Sequence, residues 1–142
     1  MPRTSLTRRV CFASAHRYRR PEWDDARNAA TFGACAHPNY HGHSYTCDVT
    51  VTGPVDATTG FLIDLSLLDA VLQQEVRARF DHRNINLDVP EFADGKLVPT
   101  GEVLARFIAE RVQAGIAHTT ARVLRVHLAE DATLSSSYDL DD

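Results

Sequence analysis

Lysine is almost missing from this chain: Lys96 stands alone, and arginine carries nearly all the positive charge. Acidic residues outnumber basic ones by 19 to 15, which leaves a formal charge of −4. A chain without excess positive charge lacks what a general nucleic-acid binder uses to neutralise phosphates, so a small-molecule or protein partner is expected and nucleic acid is not. Long apolar runs are missing too. Stretches such as Phe61 to Ile63 span a few residues, far short of the roughly 20 that a membrane helix needs. Met1 to Arg9 has no apolar core like that of a signal peptide, so no membrane partner and a cytoplasmic location are expected. Cysteine is scarce and odd in number, at Cys11, Cys35 and Cys47. That fits no compact disulfide framework, suits a reducing compartment and makes each thiol a separate question. The arginine bias, with abundant Ala and Val, hints at a GC-rich bacterial genome.

What is present describes a chain that folds. Over its 142 residues, 44% are hydrophobic and 24% charged, the balance of a soluble domain. The length suits one domain over residues 1–142. Only the acidic, Ser-rich end from Ser135 to Asp142 is of low complexity, and it is expected to fray. Val10, Phe12, Ser14 and His16 share one parity and predict a strand from Leu6 to His16. The β-branched and aromatic run ending before Gly53-Pro54 predicts a second, from about His43 to Thr52, across an irregular loop from Arg17 to Asn39. Leu65, Leu68, Leu72 and Val76 recur at helical spacing behind a cap at Asp64 or Ser66, so a first helix is expected to reach about Phe80. Thr100 caps a second helix with an apolar stripe through Val103, Leu104, Phe107, Ile108 and Val112, stopping before Gly115. Asp81 to Lys96 reads as a long ordered loop. Ala121 to Glu130 reads as a strand with Leu124, Val126 and Leu128 on one face, followed by a short strand near Leu134.

His41 and His43 stand two apart in a predicted strand, so both imidazoles project from one face and can converge on one ion. His16, closing the neighbouring strand, offers a third nitrogen and leaves a fourth position open, as catalytic rather than structural zinc requires. The bland alternative is three unrelated histidines. Cys35, six residues before His41, could be a fourth ligand, a nucleophile, a proton acceptor or a buried thiol. Cys11 and Cys47, inside predicted strands, read as small buried hydrophobes. Asp81 beside His82 could fix that ring's tautomer for proton transfer or simply end a helix. Glu130, closing an apolar strand, could accept two hydrogen bonds from an amino-heterocycle. Arg17, Arg19 and Arg20 could meet an anionic group or form a wet loop.

Taken in order, F-A-S-A-H ending at His16, F-G-A-C-A-H-P-N-Y-H-G-H-S-Y from Phe32 to Tyr45, F-D-H-R-N-I-N-L-D-V-P-E-F from Phe80 to Phe92, P-T-G-E from Pro99 to Glu102 and the strand ending at Glu130 resemble one family. It is that of the 6-pyruvoyltetrahydropterin and 6-carboxytetrahydropterin synthases, and the resemblance runs from about Phe12 to Glu130. It implies an α+β tunnelling fold: an antiparallel sheet with two helices on one face, whose subunits join their sheets into a barrel, usually as hexamers of two trimers. It places the family's zinc ligands on His16, His41 and His43, its proton-accepting cysteine on Cys35, its Asp-His pair on Asp81 and His82, and its pterin-anchoring glutamate on Glu130. Thr100 falls near the pterin in the same scheme.

The implied substrate is 7,8-dihydroneopterin triphosphate, with Zn2+ as cofactor. Two products follow from it, 6-pyruvoyltetrahydropterin or, with loss of acetaldehyde, 6-carboxytetrahydropterin, a queuosine and deazapurine precursor. The Cys35-to-His41 spacing resembles the pyruvoyl branch, whereas the bacterial composition inclines the reading to the carboxy product and the pyruvoyl product stands as the alternative. A non-catalytic pterin or zinc module and a closed structural zinc site using Cys35 are the other readings. The chain departs from the family at Tyr40, Ser44 and Ala34, where Gly, Asn and Lys are common. Leu134 to Tyr138 replaces an apolar last strand.

Overall fold

Two long antiparallel strands set the frame, and the alternation of their side chains explains why. In the computed structural model, which describes residues 2–140, β1 (Ser5–His16) turns Val10, Phe12, Ser14 and His16 to the buried face. Every residue of β1 pairs with one of β2 (His41–Thr52), from Ser5 opposite Thr52 to His16 opposite His41. β2 buries Tyr45, Cys47, Val49 and Val51 on the same side. β2 begins at His41, two residues earlier than its composition predicts, because pairing with β1 carries the ladder to the end of that strand.

The segment between these strands is not wholly irregular. It holds α1 (Asp25–Phe32), capped by the Asp24 carboxylate, and a 3-10 turn, Gly33–Ala36. After β2 the chain forms α2 (Leu65–Leu72), capped by Asp64, which continues through a π turn (Gln73–Arg77) into α3 (Ala78–Phe80). The predicted loop from Asp81 to Lys96 contains β3 (Arg83–Asn84), α4 (Ile85–Asp88) and a 3-10 turn, Pro90–Phe92. α5 (Gly101–Ile116) starts at the Thr100 cap and buries Leu104, Ile108, Val112 and Ile116, one residue per turn. It runs through Gly115 rather than stopping before it: a Cβ there would lie 2.6 Å from Val71 Cγ1. Glycine is what lets α5 approach α2 so closely.

β4 (Arg122–Ala129) and β5 (Ser135–Asp139) complete a five-stranded sheet ordered β3-β1-β2-β4-β5, antiparallel except for the short β1–β3 pair. Two expectations change here. The register between β2 and β4 shifts at Thr50/Val51, where the partners jump from Arg125 to Val123. Val123, Val126 and Leu128 therefore line the core, and Leu124 is passed over. The Ser-rich end does not fray over residues 135–139. It pairs with β4, and Arg125 holds its partner Asp139 through two hydrogen bonds of 2.6 and 2.9 Å. Asp141 and Asp142 lie outside the described residues. The helices and the buried faces of β1, β2 and β4 share one apolar core, and the ends of those three strands meet at one edge of it.

Candidate active site

Antiparallel pairing places the end of β1 against the start of β2, which puts His16 beside His41, and the pleat brings His43 to the same face. Ring centroids are 4.6 Å apart for His16 and His41, 5.1 Å for His16 and His43, and 5.0 Å for His41 and His43. One nitrogen from each ring lies within 4.8 Å of the others, and Cys35 is not part of that cluster.

The electrostatics favour the neutral form of His16 and His41. Burial, followed by the neighbouring charge of His41, lowers His16 to about 4, and burial with His43 lowers His41. The Nδ1 of His16 lies 2.8 Å from the carbonyl oxygen of Pro99. A carbonyl only accepts, so Nδ1 carries the proton and Nε2 keeps its lone pair, the device by which metal-binding histidines are oriented. The Tyr45 hydroxyl, from the next inward position after His43, is 3.2 Å from the same Nδ1. Three converging imidazoles, one already pinned from behind, fit a divalent metal of zinc's preferences with a position left open. The absence of the Cys35 sulfur from the cluster speaks against a closed four-ligand site.

Glu130 follows β4 directly and is buried. Its Oε1 lies 3.9 Å from His16 Nε2 and accepts a hydrogen bond of 3.3 Å from the Tyr18 hydroxyl. Burial pushes its carboxyl upward, against the lowering influence of His43. Cys35 sits on the Gly33–Ala36 turn, half-buried, and its carbonyl accepts from the Tyr18 amide at 2.8 Å. Burial first, then the charge of Glu130, pushes its thiol up. Thr100 spends its hydroxyl on capping α5, accepting from the Val103 amide at 3.2 Å. The cap nevertheless sets the adjacent Gly101 against Glu130, where a Cβ would come within 3.7 Å of the carboxyl carbon.

Asp81 and His82 lie apart from these groups, on the edge of β1. Asp81 accepts from the Ala13 amide at 2.9 Å and from Arg77 at 3.0 Å, which together hold it down to about 2, and it meets His82 Nδ1 at 3.1 Å. His82 is in the left-handed region, φ 59, tied by its amide to the Ala13 carbonyl at 2.7 Å, and its side chain is 84% exposed. Among the described residues no hydrogen bond joins this pair to Cys35 or Glu130. His82 and His43 do line the same open cleft of about 520 Å³.

Three further findings depart from or add to the reading of the residues. Cys11 falls on the outward parity of β1 and is exposed, whereas Cys47 is buried as expected. Arg17, Arg19 and Arg20 are each drawn into ion pairs, with Asp94, Asp25 and Glu22. Tyr18 and Tyr45 were not singled out from the chain, although both continue the inward parity of a histidine, His16 and His43, by two residues. That period-two signal is the one that could have found them.

Antiparallel-dominated sheet, covering helices and a strand-borne triad of histidines define an α+β protein of the tunnelling fold with a metal-type site. The 6-pyruvoyl tetrahydropterin synthase family profile matches residues 5–141. A 6-pyruvoyl tetrahydrobiopterin synthase from Drosophila melanogaster is 37% identical over 112 residues, 79% of this chain and 66% of that protein. A 6-carboxy-5,6,7,8-tetrahydropterin synthase from Bacillus subtilis is 39% identical over 84 residues, 58% of this chain and 53% of that protein. The structure of Caenorhabditis elegans 6-pyruvoyl tetrahydropterin synthase superposes with a TM-score of 0.89 at 30% identity, covering 99% of this chain and 98% of the other. The chain belongs to the 6-pyruvoyl tetrahydropterin synthase family, a family of lyases whose compared members are named for a pyruvoyl or a carboxy tetrahydropterin.

Proposed function

We propose that this chain acts on 7,8-dihydroneopterin triphosphate and releases triphosphate with internal redox, giving 6-pyruvoyltetrahydropterin. The observation that carries the reading is the seating of a buried carboxylate, Glu130, 3.9 Å from one of three clustered histidines. One group suits an amino-heterocycle and the other a metal-bound side chain, next to each other. The incline toward the carboxy product rested on composition alone. The longer matches to proteins named pyruvoyl synthases and the Cys35-to-His41 spacing support the pyruvoyl product instead.

In this reading His16, His41 and His43 hold Zn2+, which when bound supplies Lewis acidity to the hydroxyls of the substrate side chain. Glu130 accepts hydrogen bonds from the pterin amino group and ring N–H, fixing the ring's orientation. Cys35 takes the proton released from the side-chain carbon. A thiol held up by burial needs cationic surroundings to do so at neutral pH, and the filled triad provides them. His82 returns a proton from the cleft it shares with His43, its ring held through Nδ1 by Asp81. Thr100 lies near the pterin by way of the helix start it caps. The single domain works as a homo-oligomer, a hexamer of two trimers, in the cytoplasm.

The test is to incubate the zinc-loaded protein with 7,8-dihydroneopterin triphosphate and follow triphosphate and acetaldehyde together. Triphosphate without acetaldehyde is expected. Both together would assign the carboxy product, and neither would leave a pterin-binding module without turnover.

A further inference from the structure

Tyr18 meets His16, His41, the cysteine turn and Glu130. Its ring stands edge-on to His16 at 5.1 Å, to His41 at 6.3 Å and to Phe32 at 5.9 Å. Its amide donates to the Cys35 carbonyl at 2.8 Å, tying the 3-10 turn to the end of β1. Its hydroxyl donates to Glu130 Oε1 at 3.3 Å. Three elements distant in sequence, the strand ends, the cysteine turn and the residue after β4, are thus spanned by one side chain and its own peptide.

The consequence falls on Glu130. A carboxylate that grips an amino group and a ring N–H in parallel must present its plane in one orientation, and a buried carboxylate with no partner is free to rotate about its last torsion. Among the described residues the Tyr18 hydroxyl is the one hydrogen-bond donor to the Glu130 side chain. It engages Oε1, which leaves Oε2 and the remaining lone pair of Oε1 for a ligand. Tyr18 is itself held, its amide bonded to the Cys35 carbonyl and its ring in contact with His16, His41 and Phe32.

We infer that Tyr18 is a positioning residue for the pterin: it sets the plane of the Glu130 carboxylate and its distance from Cys35, and so contributes to the selection of a 2-amino-4-oxo heterocycle. The inference rests on the reading of Glu130 as the pterin anchor, and its test separates the two. Tyr18→Phe keeps the ring contacts and the amide bond while removing the hydroxyl. Neopterin, which carries the ring but no triphosphate, is the probe, and its fluorescence reports binding to the zinc-loaded protein.

A hydrogen bond to a charged group that is long for O–H···O is expected to give about a tenfold weakening of neopterin binding in Tyr18→Phe. The loss in kcat/KM with substrate should be carried mainly by KM, and zinc content should match the parent. Glu130→Gln should weaken neopterin further, and adding Tyr18→Phe to it should change nothing more, since the hydroxyl acts through the carboxylate. Unchanged binding in Tyr18→Phe with weakened binding in Glu130→Gln would overturn the role of Tyr18 and leave the anchor standing. Unchanged binding in Glu130→Gln would overturn the anchor and the inference with it. Zinc loss in Tyr18→Phe would reassign the residue to support of the triad.

Discussion

The histidine triad and the groups proposed to handle protons are held by different kinds of structure. His16, His41 and His43 project from two fully paired strands, so their convergence follows from pleat and register, with dozens of backbone atoms enforcing it. Cys35 rides on a four-residue 3-10 turn, and His82 sits in the left-handed region, each held by a few individual hydrogen bonds. The sheet sets three imidazoles in a rigid frame, and the loops carry groups aimed one bond at a time. Damage to the loops should therefore leave the metal, whereas damage to the strand positions should not.

The largest effect expected is on the sheet side. His41→Ala and His43→Ala each remove one imidazole from a set of three, and zinc measured by plasma mass spectrometry should fall from one per chain to a small fraction. The affinity loss should exceed the roughly 10–100-fold typical of losing only an outer partner. Retention of full zinc in both variants would break the comparison at its stronger end.

On the loop side, Asp81→Asn removes the acceptor that orients His82. Turnover should fall about a hundredfold, the low end of general acid–base contributions, with zinc content unchanged. The same variant carries a pH signature. Asp81 is held at about 2 against an ordinary 3.8, so its stabilising bonds are fully present above pH 4 and are lost as the pH falls through 2. The acid limb of unfolding in that interval should flatten in Asp81→Asn. An identical acid limb in parent and variant would remove Asp81 from the account of that edge.

The smallest effect concerns Tyr40, next to His41 and held at φ 64 where the resembling family commonly has glycine. Arg17 stacks over its ring at 4.9 Å. Left-handed strain of about 1 kcal/mol and a stack worth about 0.5–1 kcal/mol nearly offset each other. Tyr40→Gly should then change unfolding free energy by less than about 1 kcal/mol, while Tyr40→Ala, which keeps the strain and loses the stack, should cost more. Denaturant titration of the pair measures that difference.

Legibility in the chain follows the same division. Parity along β1 and β2 carried the triad, and the period of Leu104, Ile108 and Val112 behind the Thr100 cap carried α5, because regular elements repeat their contacts. The helix α1 is short and rests on the Asp24 cap and an Arg27–Trp23 stack at 4.0 Å, which leave little periodicity. β5 is polar because its pairing is stabilised across the strands, by Arg125 with Asp139 and His127 with Ser137 at 2.8 Å. No apolar alternation announces it. The bulge that passes over Leu124 depends on the register of a partner strand far away in the chain, with Val51 opposite Val123, and the reach of Tyr18 to Glu130 spans 112 residues. Only the fold brings such pairs together.

The proposed division between a sheet that holds metal and loops that move protons is tested most directly by Cys35→Ala, with zinc content and turnover read on the same preparation. The account predicts one zinc per chain, as in the parent, with turnover reduced at least about a hundredfold, because only the proton acceptor is gone. Loss of zinc would make Cys35 a ligand, and turnover at the parent's rate would remove it from the chemistry. Either result would contradict the division.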